Sequence, residues 1–261
     1  MPKQSLVNFL IVGTQKGGTT ALAEFLAGHP EICFCNRKEA HLFDSPSFDE
    51  RLSPDEIDLL YRPFFTDYTG QPLVGEATPA YLFLPPVAAR IYRYNPRMKI
   101  IILLRDPVAR ALSQYAMERA RGTEKRPLFV SLLAEWYRFR KNPADFNTLL
   151  RDEPVRRFCY LERGFYLAQV RRYQALFPPE NVLLLPSEQL WDEHEKVLGL
   201  VYDFLGVGNR EYLPPRTRVF ATPAGPRPRL WSRLLLSLLY RREICRLAQH
   251  LGWDLAHWGR W

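Results

Sequence analysis

Residues 8–20 read NFLIVGTQKGGTT, an apolar run that passes directly into a glycine-rich loop. The run Asn8–Val12 has the length of a buried strand, and apolar side chains recur at helical spacing from Thr19 to Ala27. In a parallel α/β fold, ligands bind outside the carboxyl ends of the strands, where such loops lie. This stretch therefore predicts an α/β fold and a candidate site at residues 13–20.

Further apolar runs of strand length alternate with amphipathic segments along the chain. The strongest is Lys99–Arg105, which has five consecutive apolar residues. Other strands are predicted around Cys33 and Cys35 and at Leu73–Glu76, and another buried strand at Val182–Leu185. Helices are predicted after the capping box Ser53-Pro54-Asp55-Glu56, at Val87–Tyr94, from Pro107 to about Arg121, at Leu128–Arg140 and at Phe165–Phe177. A last one is predicted after Asp192-x-x-Glu195 and runs to Phe204, where Gly206 stops the helix. This alternation indicates a central parallel sheet covered by helices on both faces.

Composition limits the class of protein. The chain has 261 residues, of which 47% are hydrophobic and 25% charged, and these fractions exclude a disordered or collagen-like chain. Lys and Arg number 36 against 28 Asp and Glu, so the formal net charge is +8. That excess permits nucleic acid, a membrane surface or an anionic small molecule as partner, or a basic surface kept for solubility.

The compartment is inferred from the cysteines and the N-terminus. Cys33 and Cys35 form C-x-C, which lacks the C-x-x-C spacing of zinc and redox sites, so structural thiols are expected. The N-terminal residues lack the pattern of a signal peptide, and the most apolar stretch, Leu234–Tyr240, is too short for a membrane span. We therefore expect a cytoplasmic, reduced protein, and no cluster of residues has metal-ligand spacing.

The loop at residues 13–20 carries the groups that bind an anion. Glycines let the backbone approach, and helix N–H groups, threonine hydroxyls and Lys16 supply donors. The alternative is a plain strand-to-helix turn that needs glycine. In the Walker A pattern G-x-x-x-x-G-K-[ST], Gly13 and Gly18 fit, but Thr19 stands where the lysine belongs. The missing lysine argues against an ATPase or kinase.

Residues 9–20 resemble the 5′-phosphosulfate loop of sulfotransferases that use 3′-phosphoadenosine 5′-phosphosulfate (PAPS), in particular the heparan-sulfate-type branch and its bacterial relatives. The resemblance implies that Lys16 binds the bridging and sulfonyl oxygens and stabilises the leaving phosphate. It also implies that Gly17, Gly18, Thr19 and Thr20 hold the 5′-phosphate. The implied fold is a P-loop-NTPase-like α/β domain, with PAPS as donor, 3′,5′-ADP (PAP) as product and no metal.

A second anion motif lies at residues 102–115, ILLRDPVARALSQY. It resembles the family's 3′-phosphate motif, which implies that Arg105 and Ser113 bind the 3′-phosphate; an arginine fork and a hydroxyl suit a phosphate dianion. The residues alone also allow a strand-end ion pair between Arg105 and Asp106. Arg110 either points to solvent or also reaches the phosphate.

Residues 38–44, KEAHLFD, resemble the family's K-E-P-H-F-F-D stretch, which implies that Glu39 is the general base. A base must lie within hydrogen-bond reach of the acceptor's proton. His41 is the second candidate, with a packing or orienting role as its alternative. Lys38 would offset charge on the sulfonate or remain a solvated surface lysine. Residues 73–81 resemble the acceptor cleft, where Glu76 either assists the base or makes a structural hydrogen bond.

The resemblance spans residues 6–207 and resumes near residue 243. We therefore expect a single sulfotransferase domain over residues 1–261, with a core at 6–207, a basic Pro-rich loop at 208–230 and a C-terminal helical segment at 231–261. The family's basic lid corresponds to a stretch with several arginines, among which the sequence does not choose: Arg216, Arg218, Arg227 and Arg229. The segment from Arg229 to Arg246 has a Leu-rich face that could lie on an anionic membrane, although we expect it to pack on the domain.

The predicted function is transfer of a sulfonate group from PAPS, by in-line displacement, to a hydroxyl or amine of a small-molecule, sugar or lipid acceptor. One alternative is a nucleotide-dependent kinase with a variant P-loop, which requires Mg²⁺-dependent ATP binding. Another is a basic membrane- or nucleic-acid-binding protein. Nucleic acid is not expected, because the chain has no recognisable binding module and its arginines are not concentrated in one run.

Overall fold

The computed structural model describes residues 5–37, 39–141, 156–208, 211–215 and 230–260. The chain divides into two compact units. The first, here called the sheet unit, comprises residues 1–104 and 172–219; the second, the helical unit, comprises residues 105–171 and 220–261. That the two units form a single domain over residues 1–261 stays a prediction.

Within its described residues, the sheet unit contains five strands, all parallel. They are β1 (Phe9–Gly13), β2 (Ile32–Phe34), β3 (Leu73–Ala77), β4 (Lys99–Leu104) and β5 (Val182–Pro186). Their order is β2-β3-β1-β4-β5, so β1 lies in the middle. The predicted α/β fold with a central parallel sheet is confirmed. Because the strands are parallel, their carboxyl ends share one edge, and the loop after β1 lies at the centre of it.

Apart from α7, which was not predicted, the helices lie close to where the apolar periodicity predicts them. They are α1 (Thr19–Ala27), α2 (Pro54–Tyr61), α3 (Pro85–Tyr94), α4 (Pro107–Ala120), α5 (Leu128–Lys141), α6 (Tyr166–Leu176), α7 (Gln189–Asp192), α8 (His194–Leu205) and α9 (Leu230–Leu251). The predicted capping box at Ser53 is present, since Ser53 N donates to Glu56 Oε2 at 2.8 Å and Glu56 N donates to Ser53 Oγ at 3.4 Å. Gly206 ends α8 in the left-handed conformation, as predicted.

Three predictions about elements need correction. Helix α3 begins at Pro85 rather than Val87, because proline fits the first turn of a helix, where its missing N–H costs nothing. Strand β5 was expected to be buried, but only Leu185 is, because the strand lies at the edge of the sheet. Helix α9 begins at Leu230, inside the predicted loop 208–230, of which residues 209–210 and 216–229 lie outside the described residues.

The core of the sheet unit lies between the sheet and helices α1 and α8. It joins apolar residues of these elements: Phe9, Ile11, Leu22, Phe25, Ile101, Leu103, Val201 and Leu205. The ring of Phe9 covers Gly75 on the neighbouring strand, where a Cβ atom would lie 2.3 Å from the ring. No helix of the described ranges is both long and apolar enough to cross a membrane.

Substitutions at two glycines of the sheet unit should have opposite effects on stability. Gly75→Ala forces the Phe9 ring to move and should lower the free energy of unfolding by about 1–3 kcal/mol. Gly199→Ala, inside α8 with open space around it, should raise that free energy by about 0.5–1 kcal/mol, because alanine loses less conformational entropy. Urea unfolding of both variants checks the pair, and a Gly75→Ala protein as stable as the wild type would contradict the packing described.

Candidate active site

The loop between β1 and α1 is fixed to the carboxyl edge of the sheet by two hydrogen bonds, and a third closes a turn within the loop. Thr14 N donates to the carbonyl oxygen of Leu103, in β4, at 2.8 Å. Gly17 N donates to Thr14 O at 2.8 Å, and Ser187 Oγ, one residue beyond β5, donates to Gly17 O at 2.7 Å. The carboxyl ends of β4 and β5 therefore determine the shape of the loop.

Glycine is required in this loop because its backbone packs closely. A Cβ atom on Gly17 would lie 2.8 Å from Thr14 Cγ2 and 3.0 Å from the Leu103 carbonyl oxygen. Gly18 has a φ of 89° and Lys16 a φ of 69°, the left-handed conformation found in backbone concavities that bind anions. No side chain at Gly17 or Gly18 therefore stands between the N–H groups at the start of α1 and an approaching anion.

The first turn of α1 has the electrostatics of an anion site. Its N-cap is Gly18, which provides no capping side chain, and the first turn carries no acidic residue. The N–H groups of a helix start carry partial positive charge and need acceptors. Lys16 and Thr20 are half-buried, whereas Thr19 is buried. The Oε1 atom of Gln15 is buried without a hydrogen-bond partner among the described residues.

The segment after β2 joins three side chains into a chain of hydrogen bonds. His41 Nε2 lies 3.0 Å from Glu39 Oε2, and His41 Nδ1 lies 3.0 Å from Asp44 Oδ2. The Asp44 side chain is fully buried, whereas those of His41 and Glu39 are 43% and 29% exposed. A molecule in solvent can therefore reach Glu39, while the buried Asp44 holds the imidazole through its hydrogen bond with Nδ1.

The two carboxylates keep the imidazole charged. Hydrogen bonds to Asp44 first, and to Glu39 second, raise the pKa of His41 to about 10. At neutral pH His41 is therefore an imidazolium that donates from both ring nitrogens, and it has no lone pair with which to accept a proton. Of the two base candidates that the sequence left open, this geometry favours Glu39.

Glu76, the fourth residue of β3, holds the backbone of this segment. It is fully buried and accepts four hydrogen bonds. The donors are Tyr61 Oη at 2.8 Å, Tyr81 Oη at 2.9 Å, Thr78 Oγ1 at 2.7 Å and Ala40 N at 3.0 Å. Burial raises the pKa of Glu76, and the four donors partly offset this. Of the two roles left open for Glu76, the structure supports the structural one, because it holds the amide that follows Glu39.

Tyr81 extends the same support to the next two residues. Its hydroxyl accepts from Leu42 N at 3.0 Å and from Phe43 N at 3.3 Å, and the Phe43 carbonyl oxygen accepts from Arg90 at 2.6 Å. The peptide groups at Ala40, Leu42 and Phe43 are therefore held by buried side chains. This support fixes the backbone on both sides of His41.

The predicted 3′-phosphate residues belong to the helical unit. Arg105 is half-buried, directly follows β4 in the chain, and accepts at its carbonyl oxygen from Tyr166 Oη at 2.9 Å. Ser113 is half-buried on α4. Asp106 caps α4, because its side chain accepts from Val108 N at 2.9 Å.

Arg110 fits neither of its two predicted roles. It is fully buried, so it does not point to solvent, and its guanidinium donates to Gln114 Oε1 at 2.7 Å and to the Tyr160 carbonyl oxygen. Its charge is therefore used inside the helical unit rather than at a phosphate.

The structure thus brings Lys16, Gly17, Gly18, Thr19 and Thr20 together in one loop, and Glu39 and His41 together in one hydrogen-bonded pair. Lys38 and the four lid arginines lie outside the described residues. Ser187 and the roles of Asp44 and Tyr81 were not predicted from the sequence. A polar residue directly after a strand, and an acidic residue three positions after His41, were the available signals for the first two. No group of three or more His, Cys, Asp or Glu side chains in the described ranges could hold a metal ion.

Most of the chain is similar to known sulfotransferases. A family model described as "Sulfotransferase domain" matches residues 7–215. Heparan sulfate glucosamine 3-O-sulfotransferase 5 of Mus musculus is 30% identical over 213 residues, which are 82% of this chain and 55% of the relative. The membrane-associated sulfotransferase kil1 of Dictyostelium discoideum is 40% identical over 112 residues, 42% of this chain and 22% of the relative. The chain spans about half the length of the curated 3-O-sulfotransferases that it matches.

Two solved sulfotransferase structures are similar to almost the whole chain. A sulfotransferase from Alicyclobacillus acidocaldarius is 32% identical with a TM-score of 0.78, and the match covers 98% of this chain and 100% of that one. The sulfotransferase domain from the curacin biosynthetic pathway is 17% identical with a TM-score of 0.51 and shares the fold. That match covers 97% of this chain and 100% of that one.

The charge state of His41 is directly testable. Its imidazole should stay protonated from pH 6 to 9 and titrate at about pH 10 in NMR spectra, assigned by comparison with His41→Gln. Because the folded-state pKa lies above the ordinary 6.5, the stability from its carboxylate partners is fully present below about pH 6.5 and lost as the pH rises through about 10. Asp44→Asn should lower the pKa of His41, and a wild-type midpoint near 6.5 would contradict the hydrogen-bond chain.

Glu76→Gln should loosen the segment that carries Glu39. The amide NH₂ group faces donors where an oxygen now accepts, so we expect a loss of about 2–4 kcal/mol of stability. Hydrogen exchange at Ala40 N should also become faster than in the wild type. The matched control is Asp58→Asn, another buried carboxylate that accepts from a tyrosine (Tyr94) and a backbone amide. It should lose stability without faster exchange at Ala40; equal exchange in both variants would refute the positioning role.

Proposed function

The chain belongs to the sulfotransferase family, and from its site geometry we propose that it transfers a sulfonate group from PAPS to an acceptor hydroxyl or amine by in-line displacement. The observation that carries the proposal is the loop at residues 13–20, whose close packing leaves the uncapped start of α1 open to an anion. The buried Thr19 stands where a kinase would need its phosphate-binding lysine, which disfavours the kinase alternative.

The loop residues fit the 5′-phosphosulfate of PAPS. Lys16 would pair with its oxygens, Gly18 would donate through its backbone N–H, and Thr20 through its backbone N–H and hydroxyl. Gly17, whose N–H already donates to Thr14 O, would let the 5′-phosphate approach because it has no side chain. Thr19 would contribute its backbone N–H, since its side chain is buried. Arg105 and Ser113 remain our proposal for the 3′-phosphate. When bound, PAPS supplies the sulfonate and a phosphate leaving group.

Glu39 is the proposed general base. Its carboxylate takes the proton of the acceptor hydroxyl as the acceptor oxygen bonds to sulfur. His41, held protonated by Asp44, donates to Glu39 and fixes the carboxylate's orientation. Glu76 and Tyr81 hold the peptide groups on either side, so the base is positioned by buried groups that do not themselves react.

Lys16 is the proposed electrostatic catalyst. Negative charge grows on the phosphate as its bond to sulfur breaks, and a fixed cation with helix N–H groups stabilises that charge most strongly in the transition state. The positive φ of Lys16 places it within the turn of the loop rather than on the flanking strand or helix.

The acceptor we propose is a hydroxyl of a sugar. Support comes from the relatives, whose names describe sulfation of heparan sulfate glucosamine. The half-exposed Glu39 carboxylate would allow an alcohol to approach it from solvent. Small-molecule and lipid alcohols, and amines, present the same chemistry to the base.

Two substitutions should separate binding from proton transfer. Glu39→Gln should lower kcat by about 10²–10⁴-fold, because the amide cannot take a proton, with unchanged affinity for 3′,5′-ADP. Lys16→Ala should lower both kcat and the affinity for 3′,5′-ADP. Turnover is measured as 3′,5′-ADP formed from PAPS with a panel of sugar acceptors, and affinity by calorimetric titration.

The control is Glu24→Gln, an exposed carboxylate on α1 that should change neither quantity. If Glu39→Gln kept most of the turnover, Glu39 would not be the base. If the wild type failed to bind 3′,5′-ADP, the PAPS proposal itself would fall.

A further inference from the structure

Helix α9 packs within the helical unit through one face only. The residues of that face are buried: Ser232, Leu236, Tyr240, Ile244 and Leu247. Tyr240 Oη also donates to the Leu161 carbonyl oxygen at 2.6 Å. These residues recur every three or four positions, so they form a single stripe along the helix. The packing expected from the sequence thus occupies this stripe and leaves the opposite face to be explained.

The opposite face begins with an exposed apolar patch. Leu230, Leu234 and Leu238 are 68%, 55% and 70% exposed, and Trp231 beside them is 44% exposed. Positions i, i+4 and i+8 lie one above the other on a helix, so the three leucines form a continuous ridge. Single exposed leucines are ordinary, but a ridge of leucines with a tryptophan marks an interaction surface.

The same face continues as a basic patch. Arg241, Arg242 and Arg246 are all exposed and follow the leucines along the helix. The acidic residue of α9, Glu243, is half-buried, and its Oε1 atom accepts from Leu167 N at 2.7 Å. Residues 230–260 contain five arginines against two acidic residues. The exposed face of α9 is therefore apolar in its first half and cationic in its second.

We propose that this face of α9, called here the α9 face, docks on the surface of a bilayer that contains anionic lipids. The leucines and Trp231 would enter the boundary between headgroups and acyl chains, and the three arginines would pair with lipid phosphates. A second copy of the chain fits less well, because α9 offers no exposed carboxylate to oppose the arginines. The docking is peripheral, since α9 is not apolar enough to span a membrane.

The test is co-sedimentation of the full chain with extruded vesicles of phosphatidylcholine alone or with phosphatidylglycerol added. We expect binding to the anionic vesicles that weakens as the salt concentration rises, and little binding to phosphatidylcholine alone. Leu234→Gln with Leu238→Gln should reduce the partition coefficient by about tenfold or more. Arg241→Gln with Arg242→Gln should reduce it and flatten its salt dependence.

The matched control is Leu59→Gln with Leu60→Gln, which changes two exposed leucines of α2 and should leave the binding unchanged. All three double variants should melt close to the wild type, since the positions are exposed. Absence of binding to anionic vesicles would overturn the proposal, as would equal loss in the α2 control. A dimer in solution that Leu234→Gln with Leu238→Gln dissociates would assign the α9 face to a second copy instead. None of these outcomes depends on sulfonate transfer.

Discussion

The loop after β1 must turn from a buried central strand into α1 without filling the space above its own N–H groups. This constraint is met by packing the backbone so tightly against the strand ends that Gly17 has no room for a Cβ atom. Thr14 is tied to β4 and Gly17 to Ser187 after β5, so the loop's shape depends on strands that are distant in sequence. The proposed anion site is thus preorganised by the sheet, so its N–H donors would need no rearrangement when a phosphate binds.

The proposed proton transfer depends on carboxylates with different roles. Asp44 keeps His41 charged, and Glu76 takes four hydrogen bonds to fix the peptide beside Glu39. Only Glu39 of these three carboxylates is accessible to solvent. A single accessible carboxylate, oriented by a cation that cannot itself accept a proton, supports the proposal that Glu39 is the base.

The sequence predicts the features that depend on local pattern. Strands β1 and β4, the loop and the capping box at Ser53 all follow from neighbouring residues, and the structure has them. The partners of Glu76 are harder, because Tyr61 and Ala40 approach it only after three separate segments have packed together. The role of Arg110 was mispredicted for the same reason: the Tyr160 carbonyl that it binds is 50 residues away in sequence, and no local pattern indicates that contact. Strand β5 forms as predicted, but its burial was mispredicted because apolar composition does not reveal that a strand lies at the edge of the sheet.

The central claim is that the loop and its helix start bind the phosphates of PAPS rather than those of ATP. Thermal unfolding of the wild-type chain with 3′,5′-ADP in EDTA, compared with ATP plus Mg²⁺, tests it most directly. At a ligand concentration 100 times Kd, binding adds about 2.7 kcal/mol of stability, which raises the Tm by several degrees. We predict that rise with 3′,5′-ADP and little change with ATP plus Mg²⁺. A rise with ATP plus Mg²⁺ alone, or with neither ligand, would contradict the account.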